Sequence, residues 1–420
     1  MTGGAGFAGD GRSPEGGASI VGAGFAGDGR SPEGGASMTG LFARLEGRRV
    51  VCCVGSGGVG KTTTAAAIAL RCAVRGMRTL VLTIDPARRL ANSLGLKALG
   101  NRETRIDGEQ FAAAGLEPRG ELFAMMLDMK LTWDDLVHRV APDAARARAI
   151  LDNRLYQKLS TVMAGSLEYM AMEKVYELYE GRRYDVVVLD TPPTSNALDF
   201  LHAPDRILDL LENDAARVVL GPILKAGKIG LRLFNLGSTY VLRTLARFTG
   251  ADFLRDLAAF MMAFEGMYDG FKVRAANVKR MLASPEAGFV LVTSPDAHVI
   301  DEARFFHGAL AQEGIATAAV VINRFERDPR RQGGAETAEA LREALLLAQI
   351  PDKGEPPLCQ RLVRTLEEQA TLADLDRRAV ERLTMVLDPV PVFTVPRLRK
   401  DVHDLAGLWQ IDGYLAGGED

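Results

Sequence analysis

Residues 55–63 read Gly55, Ser56, Gly57, Gly58, Val59, Gly60, Lys61, Thr62 and Thr63, a glycine, four residues, then Gly-Lys-Thr. Glycines at this spacing let the backbone curl until successive N–H groups point inward, an anion nest that runs on into the positive end of the following helix. Lys61 supplies a point charge for the β- and γ-phosphates of a triphosphate, and the Thr62 hydroxyl supplies a Mg²⁺ ligand beside them. Two carboxylates stand further along. Asp85 follows an apolar run and is freed by Pro86 at the carboxyl end of a strand, where open α/β sheets bind ligands. It also reads as a turn former or helix cap, the usual work of Asp before Pro. Asp190 closes a second apolar run, the arrangement that holds Mg²⁺ or its bound water in phosphoryl-transfer sites. Thr191, Pro192, Pro193 and Thr194 then make a stiff loop suited to sensing a γ-phosphate.

These residues need strands that end beside one another. Residues 50–54 form a β-branched apolar run and residues 62–75 carry strong helix formers, so the glycine turn lies between a buried strand and a helix. Further strands are expected at 79–84, 122–127, 184–189, 288–292, 317–323 and 390–395, with helices at 299–313 and 401–409. The alternation implies an α/β fold, a doubly wound, mostly parallel P-loop sheet. Helical patterns at about 130–180 and 204–282 read as insertions forming an α-helical subdomain, and residues 326–356 read as surface. Residues 1–38 are a Gly-rich duplicated extension, in which GAGFAGDGRSPEGGAS begins at Gly4 and again at Gly22. Disorder is expected there, with Met38 as the natural start and residues 39–420 as the nucleotide-binding domain.

The 420 residues are 47% hydrophobic and 25% charged, with a formal net charge of −3, which argues against a nucleic-acid partner. No run of 18 apolar residues or secretory leader is present, so a cytoplasmic protein is expected. Residues 223–247 mix apolar and basic side chains, which leaves transient membrane association or a partner helix open beside a solvated helix face. Cys52, Cys53, Cys72 and Cys359 are too few and scattered for a disulfide framework, and no C-x-x-C offers a zinc site. Ten of the 14 methionines fall between Met125 and Met281. They suit either a groove for varied apolar helices or the core of a helical bundle.

Taken together, GSGGVGKTT, LTIDPA, LDTPPTSNALDFL, a strand ending in Asn323 and VFTVPRLRKDVHDLAGL resemble the ArsA-type ATPases. That family includes arsenite-pump ATPases and the guided-entry ATPases for tail-anchored membrane proteins. The resemblance runs from residue 48 to about 410. It implies ATP and Mg²⁺, with Lys61 and Thr62 at the phosphates and metal, Asp85 positioning the attacking water and Asp190 at the metal. It also implies Asn323 at the adenine, with the backbone of Val395 and Pro396 closing over the base. The expected function is a Mg²⁺-dependent ATPase whose nucleotide state moves a helical subdomain handling a hydrophobic or membrane-protein client. The alternatives are a regulatory or motor subunit of a partner complex and a weakly hydrolysing switch. A homodimer, or a heterodimer with a paralogue, is implied as well. Three departures stand out. Ser56 replaces a lysine that reaches across the dimer, leaving Arg88, Arg89 or a paralogue to replace it; the cysteines do not supply an arsenite cluster; and the interfacial zinc C-x-x-C is missing.

Overall fold

A computed structural model of the chain describes residues 40–85, 89–162, 166–191, 267–332 and 338–417, with the single positions 202, 256 and 260. The duplicated extension, Pro86, Arg88, the loop at 192–194, the basic stretch at 223–247 and nearly all of the second insertion before residue 267 lie outside the described residues.

The described strands are β1 (Val50–Val54), β2 (Arg78–Thr83), β3 (Thr104–Arg105), β4 (Glu121–Met126), β5 (Val186–Asp190), β6 (Ala287–Thr293), β7 (Thr317–Phe325) and β8 (Val392–Pro396). They form one sheet in the order β3-β4-β2-β5-β1-β6-β7-β8, parallel throughout except for the β3–β4 pair. Strand β1 shows why the apolar runs are continuous. Val50, Cys52 and Val54 enter one core, while Val51 and Cys53 enter the core on the opposite face. With both faces covered, a strand has no side left for polar residues. The expected doubly wound fold is therefore the observed one. Strand β3 was not foreseen, because two residues are too short for a period-2 pattern.

Helix α1 (Leu41–Leu45) precedes β1, and α2 (Lys61–Val74) follows the glycine loop. The α2 stretch Ala65–Leu70 is fully buried, and its alanines let the helix lie close to β2 and β5. Short helices α3 (Arg89–Ser93) and α4 (Gly108–Ala113) come next. The first helical insertion is α5 (Met129–Val140), α6 (Ala144–Leu151), α7 (Arg154–Val162) and α8 (Ser166–Glu180), and α9 (Tyr268–Leu282) packs against α8. Trp133, Tyr169 and Phe271 meet in the centre of this group, with ring centroids 6.2–6.4 Å apart about Trp133. Met125, Met170, Met172, Met267 and Met281 are buried in the same core, so for these five the bundle-core reading holds and the groove reading does not. Met261 and Met262 lie outside the described residues.

After β6 come α10 (Ala297–Gln312), α11 (Ala338–Leu347), the 30-residue α12 (Leu358–Leu387) and α13 (Leu405–Leu415). Helix α12 has no counterpart among the sequence expectations. Half of its six buried residues are alanines, Ala370, Ala373 and Ala379, and such small residues give a faint periodic signal. No described helix is long and apolar enough to cross a membrane.

Helix α13 is fastened to α2 by a charged pair. The Arg71 guanidinium donates through Nε and Nη2 to the fully buried Asp412 carboxylate, 2.7 Å at Nε, and lies over the Trp409 ring at 4.4 Å. Removing one member of such a pair strands the other, so Asp412→Ala is expected to cost about 3 kcal/mol. Urea unfolding followed by circular dichroism measures this.

Candidate functional site

The site is assembled at the carboxyl ends of neighbouring parallel strands. Cys53 on β1 and Thr83 on β2 both lie level with Asp190 on β5, so the glycine loop, Asp190 and Asp85 come off three adjacent strands. Across the sheet, Asn323 on β7 is in register with Val395 on β8. Lys61, Thr62, Asp85 and Asp190 are thus brought together beside the loop, and Asn323 reaches it from the far side of β6. Val395 and Pro396 stand one strand beyond, and both are buried.

Glycine is needed at two loop positions for lack of room. A Cβ on Gly55, which has φ +146°, would meet the Val292 carbonyl oxygen at 2.0 Å, and one on Gly60, with φ +100°, would meet Asn323 Nδ2 at 2.1 Å. Gly60 is also the residue from which α2 begins, so the loop ends directly on the first turn of the helix carrying Lys61, Thr62 and Thr63. The Lys61 ammonium is turned onto the loop and donates to the carbonyls of Gly55 at 2.9 Å and Ser56 at 2.7 Å. Burial pulls the Lys61 pKa below its ordinary value, with Asp190 opposing that shift and Arg89 adding to it.

Asp190 is 1% exposed. Its Oδ2 accepts the Thr83 hydroxyl proton at 2.8 Å, while Oδ1 is buried without a hydrogen bond. Burial raises its pKa from the ordinary 3.8 to about 6, against the pull of Thr83, Thr62 and Lys61. A buried acceptor left open next to the Thr62 hydroxyl is the donor set of a hard, oxygen-loving cation, so Asp190 and Thr62 fit Mg²⁺. Thr83 does a second job. Its Oγ1 accepts the backbone N–H of Asp85 at 3.2 Å, so one hydroxyl links both carboxylate-bearing strand ends. Sequence reasoning passed over Thr83; the signal was a polar residue two places before Asp85, directly after the apolar run Leu80–Leu82.

Asp85 is within 3.6 Å of Arg89 Nε. Arg89, one of the cations considered as a replacement for the lysine missing at Ser56, therefore pairs within its own chain. Ser56 itself donates to the Glu302 carboxylate, which also pairs with His298 at 3.2 Å. These groups edge a cavity of about 250 Å³ between the loop and α10, with Val292, Phe305 and Phe306 in its walls. Thr191 is buried and donates to the Cys53 carbonyl at 2.8 Å, tying the residue after Asp190 to β1.

Residues 48–353 match the sequence model of a family described as anion-transporting ATPases. A putative arsenical pump-driving ATPase of Prosthecochloris vibrioformis is 35% identical over 166 residues, 38% of this chain and 36% of the relative. ATPase get3 of Aspergillus terreus is 29% identical over 151 residues, covering 36% of this chain and 41% of that protein. ATPase GET3B of Arabidopsis thaliana is 25% identical over 289 residues, 64% of this chain and 62% of the relative. The chain thus spans less than two thirds of the length of each.

The raised Asp190 pKa gives a signed pH dependence in the nucleotide- and metal-free protein. The folded state holds this proton more tightly than the unfolded chain, so the contribution is complete below about 3.8 and is lost as pH rises through about 6. The whole change is about 3 kcal/mol. Stability of the wild type minus that of Asp190→Asn, measured by denaturant unfolding from pH 4 to pH 8, is expected to fall by about that amount.

Proposed function

The chain belongs to the anion-transporting ATPase family, and we propose that it binds ATP with Mg²⁺ at the glycine loop and hydrolyses it to ADP and phosphate. The observation that carries this reading is the buried Asp190 with its open Oδ1, set beside Lys61, Thr62 and the loop at adjacent strand ends. In this reading the N–H groups of residues 55–63 bind the phosphates, and Lys61 leaves its two loop carbonyls to meet them. Thr62 and Asp190 would hold Mg²⁺, which would supply charge neutralisation at the phosphates. Asp85 orients the attacking water, and Thr83 fixes its backbone relative to Asp190. Asn323, Val395 and Pro396 form the base side of the site. Catalysis of phosphoryl transfer consists almost entirely of such positioning and charge stabilisation.

The nucleotide state is proposed to act on the helical region through the segment after Thr191, which leads from Asp190 into the second insertion. A hydrophobic or membrane-protein client of a cytoplasmic dimer is the leading reading; a regulatory or motor role in a partner complex is the second. The buried methionines do not favour the client, so that reading rests on the helical insertions and the resemblance. The cysteines speak against arsenite. All four are buried, and burial pushes Cys52 and Cys72 up to about 12 and Cys53 well above its ordinary value, so these three thiols stay protonated. Ser56 bears on the dimer. With Glu302 on its hydroxyl in place of a lysine, the chain offers no cation to a partner's phosphates from this position, which favours a heterodimer with a lysine-bearing paralogue or slow turnover.

Titration with MgATP and a phosphate-release assay test the site. Lys61→Ala is expected to weaken MgATP binding by about two orders of magnitude, and Asp85→Asn to leave binding intact while slowing release by about 10²-fold or more. Normal turnover by Asp85→Asn would remove Asp85 from its role, and unimpaired binding by Lys61→Ala would remove the loop from its own.

A further inference from the structure

We infer that Asn323 is a positioning residue for the phosphate loop, a role separate from any contact with a base; the inference rests on the reading of the loop as a triphosphate site. Asn323 Nδ2 donates to the Val59 carbonyl at 2.8 Å, and its Oδ1 accepts the backbone N–H of Arg324 at 2.9 Å. Both ends of the carboxamide are therefore engaged with backbone. The Val59 carbonyl shares a planar trans peptide with the Gly60 N–H, and in such a unit the C=O and N–H point in opposite directions. Holding the carbonyl toward β7 fixes that N–H away from β7. Without this hold the Val59–Gly60 peptide is free to turn its carbonyl, a partial negative charge, into the phosphate cradle.

Two further observations fit the same role. Gly60 leaves space for the contact, since a Cβ there would sit 2.1 Å from Asn323 Nδ2. The β7–β8 pairing also shifts register between Asn323 and Phe325, and Arg324 between them takes φ +61°. The sheet thus breaks its regular pleat at the residue whose side chain crosses to the loop.

The test compares MgATP with Mg²⁺-inorganic triphosphate, which has no base, by isothermal titration on the full chain. Asn323→Leu, close in volume and uncharged, and Asn323→Ala are expected to weaken triphosphate binding about tenfold, with ATP weakened at least as much. A damaged fold lowers the binding stoichiometry and leaves the affinity of the remaining folded protein in place, so the Kd separates the two, and Asn323→Leu serves if the alanine variant does not fold. Triphosphate affinity unchanged in the leucine variant, with ATP weakened or not, would overturn the inference. A wild-type chain that binds neither ligand would overturn the nucleotide reading, and this inference with it.

Discussion

A carboxylate buried in an apolar sheet is costly unless something compensates it, and the arrangement around Asp190 follows from that constraint. The register of β1, β5 and β2 puts Asp190 level with Cys53 and Thr83, two to a few residues before the chain turns into the glycine loop on one side and reaches Asp85 on the other. Thr83 satisfies one oxygen, and Lys61 and Thr62 lie close enough to hold down the pKa, yet burial still outweighs them and Oδ1 stays unpaired. The fold carries this incompletely satisfied acid at the strand ends beside the glycine loop. In the proposed reading, a divalent cation accompanying a triphosphate would complete it, which would tie ligand binding to relief of a cost already present in the folded chain.

The sheet also sets how closely the loop can be held. Gly55 passes so near Val292 on β6, and Gly60 so near Asn323 on β7, that any side chain at either position would collide. The loop is therefore held against two strands that do not adjoin it in sequence, β6 and β7, while α2 is anchored through Arg71 and Asp412. Helix α13, more than 300 residues after the loop, in this way bears on the helix that presents Lys61 and Thr62.

Much of this was legible because it is written in short range. The glycine spacing, the apolar strands before Asp85 and Asp190, and the strand–helix alternation each follow from a backbone or burial requirement a few residues long. Thr83, Glu302 and Asp412 were not legible, since each owes its role to a partner brought near by topology: Asp190 at 107 positions, Ser56 at 246 and Arg71 at 341. Asn323 was marked for the site by resemblance, but its hold on Val59 is visible only in three dimensions. Helix α12 escaped for a different reason, its alanine-rich buried face being too weakly apolar to reveal its period. The methionines show the converse case, a pattern that left a groove and a bundle core both open and that burial decides for the core at Met125, Met170, Met172, Met267 and Met281.

The most direct test of the central claim is the metal dependence of ATP binding, measured by calorimetry with Mg²⁺ and with EDTA, in the wild type and in Asp190→Ala. If Asp190 and Thr62 hold the cation, Mg²⁺ strengthens ATP binding in the wild type, and Asp190→Ala loses that gain while keeping its metal-free affinity. A gain of equal size in Asp190→Ala would contradict the account, because the buried carboxylate would then have no part in binding the metal.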